Sequence, residues 1–189
     1  MILVYGTASS GKSNIAENMA VEIASKYERP LIYLATMEST SDAAKLRIRK
    51  HRAAREGKGF YTIEEPYRLI THVFSVREKV VLLECMSNYC ANIYYGKCGD
   101  RPAEENEISE MTEEIVSHVM KLNASAGELI VVSNDIFGDG IIYDKWTESY
   151  QKLLAHVNER IAEESSRFIE VVNGFPYEIK KSFRSRVEK

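Results

Sequence analysis

Short apolar runs recur along the chain, separated by longer stretches in which apolar residues return every three or four positions. Ile2 to Tyr5, Leu31 to Ala35, Val80 to Leu83, Leu129 to Ser133 and Phe168 to Val172 read as strands. A last strand over Tyr177 to Lys180 follows the turn Gly174-Phe175-Pro176. Between these runs the pattern predicts helices over Ser13 to Tyr27, Ala43 to Arg55, Met86 to Tyr95, Glu107 to Leu122 and Lys145 to Glu164. Strands alternating with helices specify an α/β fold, a mostly parallel sheet with helices on both faces. No repeat or low-complexity linker divides residues 1–189, so a single domain is expected. The polar, turn-rich segment Gly96 to Pro102 is predicted to be a mobile surface loop.

The first strand runs directly into Gly6-Thr7-Ala8-Ser9-Ser10-Gly11-Lys12-Ser13. This is a GxxxxGK[ST] loop with a strand before it and a helix after it, the context that such a match requires. Glycines let successive backbone N–H groups turn inward around phosphate oxygens. The helix that opens near Ser13 adds the positive end of its dipole. In that chemistry Lys12 reaches the β- and γ-phosphates, and the Ser13 hydroxyl binds Mg²⁺. A chance glycine turn is the plainer explanation, and a strand and a helix both in register argue against it. The fold class narrows to a P-loop nucleotide-binding domain.

In an open α/β sheet ligands lie beyond the carboxyl ends of the strands. Those ends carry Thr36-Met37-Glu38 after the second strand, Glu84 after the third and Asn134-Asp135 after the fourth. An acid at such a position holds the Mg²⁺ shell or takes a proton from an attacking hydroxyl. Glu84 and Asp135 both qualify. Glu84 is preferred because Val80-Val81-Leu82-Leu83 is continuously apolar and is expected to lie centrally, next to the first strand. The ordinary role for either acid is to cap a helix.

The segment Lys45 to Arg55, KLRIRKHRAAR, is cationic and free of acids. Arg47, His51 and Arg55 are spaced i, i+4, i+8 and share one helix face. A solvated basic face or a patch for an acidic partner explains such a run most simply. His51, a lone imidazole among guanidinium groups that favour its neutral form, is also a candidate nucleophile at a phosphorus centre. The arginines would then neutralise the phosphate oxygens.

Composition narrows the class further. With 44% hydrophobic and 28% charged residues the chain has enough apolar content for a core. A net charge of −3 argues against a general nucleic-acid binder. Met1 leads straight into the first strand, with no basic leader and no apolar stretch of ~18 residues, so a cytoplasmic protein without a membrane span is expected. Cys85, Cys90 and Cys98 are odd in number and form no C-x-x-C pair, so reduced thiols are expected.

MILVYGTASSGKS, IYLATMES, RIRKHRAAR, FYTIEEP, LLECMSNYCAN, VVSND and HVNERIAE occur in this order over nearly the whole chain. In these strings the sequence resembles the adenosylcobinamide kinase / adenosylcobinamide-phosphate guanylyltransferase family of cobalamin biosynthesis. The resemblance implies a bifunctional enzyme. One step phosphorylates the aminopropanol hydroxyl of adenosylcobinamide, a corrinoid. The other moves GMP from GTP onto that phosphate through a GMP-histidine intermediate. His51, in Arg47-Ile48-Arg49-Lys50-His51, falls on the guanylylated histidine. The family's GTP contacts fall on Gly6 to Ser13, on Thr36, Met37 and Glu38, on Arg52, Ala53, Ala54 and Arg55, and on Glu64 and Glu84. Mg²⁺ at Ser13 and Glu84, GTP with ATP as an alternative in the kinase step, and a homo-oligomer, a trimer in the family, are implied likewise.

The chain also departs from the family. Ser9 stands for an arginine within the phosphate loop, Tyr143 for a proline, and Phe60 for a tryptophan ahead of T-x-E. The F-R-D-x-x-G-x-x-N-Q stretch reads Tyr150-Gln151-Lys152-Leu153-Leu154-Ala155-His156-Val157-Asn158-Glu159. The nucleotide side is better kept than the acceptor side. A plain small-molecule kinase without guanylyl transfer and a non-enzymatic nucleotide-dependent regulator are the alternative readings.

Overall fold

The computed structural model describes residues 1–181. Thirteen elements follow in chain order, the first seven being β1 (Ile2–Thr7), α1 (Lys12–Lys26), β2 (Leu31–Ala35), α2 (Asp42–Arg55), β3 (Phe60–Glu64), a 3₁₀ turn (Leu69–His72) and β4 (Val80–Glu84). They continue with α3 (Met86–Lys97), α4 (Glu105–Ser125), β5 (Glu128–Asp135), α5 (Lys145–Glu164), β6 (Arg167–Val172) and β7 (Phe175–Lys181). The strands form one sheet in the order β3-β2-β4-β5-β1-β6-β7. Every pairing is parallel except β6 with β7, where the two-residue connection Asn173-Gly174 makes a hairpin. Both hairpin residues have positive φ, 50° and 84°, the twist such tight hairpins require.

Because side chains alternate across a strand, each central strand feeds two cores. Leu3, Ile32, Leu34, Val81, Leu83 and Val131 point into the larger core, with apolar residues of α3, α4 and α5. Ile2, Val4, Tyr33, Leu82, Ile130 and Val132 point into the smaller one, against Ala16, Ala20 and Ala24 of α1. Those alanines recur every four residues, and a stripe of small side chains lets α1 lie close over β4 and β5. By contrast α2 buries only Arg55, so it is held by something other than an apolar face.

The α/β class and the helices on both faces are as expected. Three readings need correction. The sequence pattern missed β3, an edge strand whose residues are half-exposed or exposed and which therefore lacks a fully apolar run. β4 is central but does not adjoin β1, because β5 pairs with both. Gly96 and Lys97 close α3 rather than opening the loop to Pro102. All three cysteines are free thiols, and among the described residues no helix is long and apolar enough to cross a membrane.

Gly6 lies where β1, the phosphate loop and β6 meet. A Cβ built there would be 2.5 Å from the Val171 carbonyl oxygen and 2.7 Å from Ser10 Oγ, and the first of these is backbone that cannot rotate away. Gly6→Ala is therefore expected to destabilise the fold by about 1–3 kcal/mol, the range for overpacking a tight site. A lower urea midpoint with an unchanged m-value is the result to look for.

Candidate active site

β1 ends at Thr7 and α1 begins at Lys12, and the chain between them turns through Ser9 and Gly11 at φ 60° and 90°. Gly11 caps α1 without any side-chain bond to its first amides, so those N–H groups remain open to an anion. The Lys12 ammonium donates to the Thr7 carbonyl at 2.9 Å. Burial pulls it below the usual lysine range; Arg47 adds to this, while Cys85 and Glu84 oppose it. The β6–β7 hairpin braces the loop, with the Gly174 N–H donating to the Ser10 carbonyl at 2.7 Å.

Glu84 is the last residue of β4 and is 8% exposed. Ser13 donates its hydroxyl to Glu84 Oε1, and the Tyr33 hydroxyl donates to Oε2 at 3.2 Å. His51 Nδ1 stands 4.0 Å from the same Oε1 that Ser13 reaches. Although β5 separates β4 from β1, α1 leaves its loop across β5 and β4, and that crossing brings Ser13 to Glu84. Asp135, the other acid considered, faces elsewhere. It bonds Tyr5, whose hydroxyl is pushed up to about 12 by burial first and then by Asp135 and Glu170, and it accepts the Phe137 N–H at 3.1 Å.

The helix face read from sequence is present: Arg47, His51 and Arg55 all line one cavity of about 500 Å³. Ser41 caps α2 by accepting the Ala44 N–H at 3.1 Å, with Asp42 in the first turn. At its other end Arg52 pairs with Glu64 of β3, and the Arg55 guanidinium lies 3.3 Å from the centre of the Tyr33 ring. Such an arrangement is a cation–π contact. Burial, and then the Glu84 charge, raise the Tyr33 pKa beyond the ordinary tyrosine range, so its phenol is a neutral donor. Arg55 Nε and Nη1 are buried without a protein partner among the described residues.

The same cavity holds Ala8, Ser9, Gly11, Lys12, Ser13, Met37, Arg52, Glu64 and Glu84. An open groove of about 990 Å³ continues from it past Arg52, Arg55 and Glu64 to Ala53, Phe60 and Thr62. Size, open helix amides and unpaired guanidinium donors suit a nucleoside triphosphate. Among the described residues no three His, Cys, Asp or Glu side chains converge to hold a metal. Ser13 and Glu84 offer one hydroxyl and one carboxylate, which fits Mg²⁺ of the kind completed by substrate phosphates.

Several expected contacts lie outside the cavity lining. Gly6 is inside β1, Thr7 and Ser10 face away, and Ala54 is exposed on α2. Thr36 is fully buried and donates its hydroxyl to the Cys85 carbonyl at 2.7 Å, which ties β2 to the end of β4. Glu38 turns to Tyr67. Of the positions that the resemblance puts on the acceptor side, Gln151 donates to the Ile136 carbonyl at 3.2 Å, and Lys152 points to Glu105 at 3.9 Å. Neither lines the cavity, whereas Ile136 does. Asn158 accepts from Ser133 at 2.6 Å inside the protein.

Sequence reasoning missed Tyr33 and Asn88 as cavity residues, whereas Asn134, at the end of its strand, lines the cavity as that position implies. Tyr33 carried no signal, because within an apolar strand it reads as a core aromatic.

A family described as cobinamide kinase / cobinamide phosphate guanyltransferase matches residues 2–179. The bifunctional adenosylcobalamin biosynthesis protein CobU of Escherichia coli (strain K12) is 28% identical over 187 residues, covering 95% of this chain and 99% of its own. CobU of Salmonella typhimurium (strain LT2) is 25% identical over 188 residues, with 95% and 99% covered. CobP of Pseudomonas aeruginosa (strain PAO1) is 28% identical over 181 residues, with 94% and 96% covered. The crystal structure of flagellar accessory protein FlaH from Methanocaldococcus jannaschii aligns at a TM-score of 0.45 and 12% identity, covering 96% of this chain and 78% of that one. With its match spanning residues 2–179, the chain belongs to the cobinamide kinase / cobinamide phosphate guanyltransferase family.

Proposed function

We propose that the chain acts as one transferase domain that phosphorylates adenosylcobinamide with GTP, ATP being the alternative donor, and then moves GMP from GTP onto the new phosphate. The observation that carries this reading is that Ser13 of the phosphate loop and His51 of α2 meet the same oxygen of Glu84. Their presence in one cavity supports a reading in which γ-phosphate transfer and attack on the α-phosphate share a site.

In the kinase step the loop amides and Lys12 stabilise charge on the β- and γ-phosphates while the acceptor hydroxyl oxygen bonds to the γ-phosphorus; the β–γ P–O bond breaks, its electron pair leaves with the nucleoside diphosphate, and the hydroxyl proton passes to solvent. Ser13 and Glu84 would hold Mg²⁺, which neutralises phosphate charge when bound. In the transfer step an imidazole nitrogen of His51 forms an N–P bond to the α-phosphorus, and the α–β P–O bond breaks. Pyrophosphate leaves with that electron pair, and Arg47, Arg52 and Arg55 offset the charge. An oxygen of the acceptor phosphate then forms the new P–O bond as the N–P bond breaks and His51 is restored. Family resemblance further supports a cytoplasmic homo-oligomer, a trimer.

Incubation with GTP followed by mass spectrometry tests the reading. A GMP adduct on the intact protein, mapping to His51, is expected, and a chain that turns over GTP without an adduct would be a kinase alone.

Lys12→Ala removes one preorganised charge-stabilising donor, a change worth about 2.7–4 kcal/mol of barrier. Kinase kcat is expected to fall by about a hundredfold or more. Turnover equal to the parent would remove Lys12 from the mechanism.

His51→Ala should abolish the acid-labile adduct and guanylyl transfer, yet leave kinase turnover within about an order of magnitude, since γ-phosphate chemistry uses other groups. An adduct that survives the substitution, or maps to His72, His118 or His156, would show that another residue is the nucleophile.

A further inference from the structure

We propose that Tyr33 is a positioning residue of this site: its hydroxyl takes one oxygen of Glu84, so that the other is presented to Ser13 and the metal-binding position. The inference rests on the function proposed above. Tyr33 lies on β2 and is 4% exposed, and the one polar atom of its side chain, the hydroxyl, donates to Glu84 Oε2 at 3.2 Å. A carboxylate on a strand can rotate about its terminal bond, and that torsion is broad for Glu. With Oε2 held from the β2 side, Oε1 is left facing Ser13 and, at 4.0 Å, His51 Nδ1.

The ring that carries this hydroxyl is itself packed against two neighbours. Phe60 packs edge-on at 6.0 Å and 88°, and the Arg55 guanidinium covers the ring at 3.3 Å. Arg55 lies one turn beyond His51 on α2, so one aromatic ring fixes the Glu84 carboxylate through its hydroxyl and seats the nucleophile's helix through its face. Groups that orient a metal-binding carboxylate by hydrogen bonding commonly change metal affinity or activity by 10–100-fold when removed.

Tyr33→Phe separates these roles, because it deletes the hydroxyl and keeps the ring that contacts Phe60 and Arg55. The measurement is GTP affinity by calorimetry, with saturating Mg²⁺ and with EDTA, on the full chain. For the parent, Mg²⁺ should tighten GTP binding. In Tyr33→Phe that Mg²⁺-dependent gain should shrink by about tenfold, while affinity in EDTA stays within about twofold. Adding Tyr33→Phe to Glu84→Gln should change the Mg²⁺-dependent gain no further, since a residue that acts through Glu84 is non-additive with its loss. A thermal midpoint close to the parent's identifies the effect as local. If that midpoint falls, the Glu84→Gln background decides, because a general loss of structure would add to it.

An equal loss of affinity with Mg²⁺ and with EDTA would make Tyr33 a direct nucleotide contact and overturn the proposal, as would an unchanged Mg²⁺ response. A parent protein whose GTP affinity ignores Mg²⁺ would instead overturn the assignment of Ser13 and Glu84 to the ion, and Tyr33's role would fall with it.

Discussion

Glu84 ends a strand that is buried along its whole length, and a carboxylate in such a place is tolerated only if its oxygens find donors. Those donors come from separate parts of the chain. Ser13 arrives from the phosphate loop and Tyr33 from the neighbouring strand, and His51 approaches from α2. Satisfying this one buried acid therefore assembles the site. The hydroxyl at the mouth of the phosphate loop, the histidine on the basic helix and the face that holds that helix are all referred to the same side chain. Because β4 carries apolar residues on both faces into two cores, the acid's position is set by the sheet rather than by a loop.

The helix that carries His51 is attached by different physics. α1 is pressed onto the sheet by an alanine stripe, whereas α2 buries a single residue, and that residue is an arginine. Its attachments are polar or cation–π: Arg55 on the Tyr33 ring and Arg52 with Glu64. Elements held by few apolar contacts open at lower free energy than core elements. That difference suits the proposed chemistry, in which the phosphate loop would present the same amides in both steps and His51 would reach the α-phosphorus in only one.

What was legible in the sequence follows from which residues carry a pattern. The strands of the sheet interior are unbroken apolar runs, and the glycine loop has fixed spacing, so the α/β class, the loop and most elements could be read directly. The i, i+4, i+8 spacing of Arg47, His51 and Arg55 also sufficed to place them on one face. β3 could not be read, because an edge strand with exposed positions resembles a loop. Strand order was equally hidden: local hydrophobicity shows that β4 is central but not which strand lies beside it, and β5 occupies the place assigned to it beside β1. Thr36, expected by family resemblance to contact nucleotide, gives its hydroxyl to the Cys85 carbonyl, a partner only three dimensions reveal.

The departures from the family on α5 gain a physical meaning from the same geometry. By the family resemblance Gln151 and Lys152 stand in place of an arginine and an aspartate, a change that removes a guanidinium fork and a carboxylate. Yet Lys152 points outward to Glu105, and Gln151 donates to the carbonyl of Ile136. Ile136 is the residue through which the chain leaving β5 enters the cavity wall. Beyond it the chain exposes Phe137, Ile141 and Ile142, the last at 94%. An amide making one neutral bond holds a carbonyl less strongly than a charged guanidinium does, because hydrogen bonds with an ionised partner are roughly twice as strong. Of the two α5 positions, Gln151 thus touches the chain segment that borders the cavity, while Lys152 faces Glu105. Gln151 and Lys152 line no part of the cavity that holds Lys12, Ser13, His51 and Glu84.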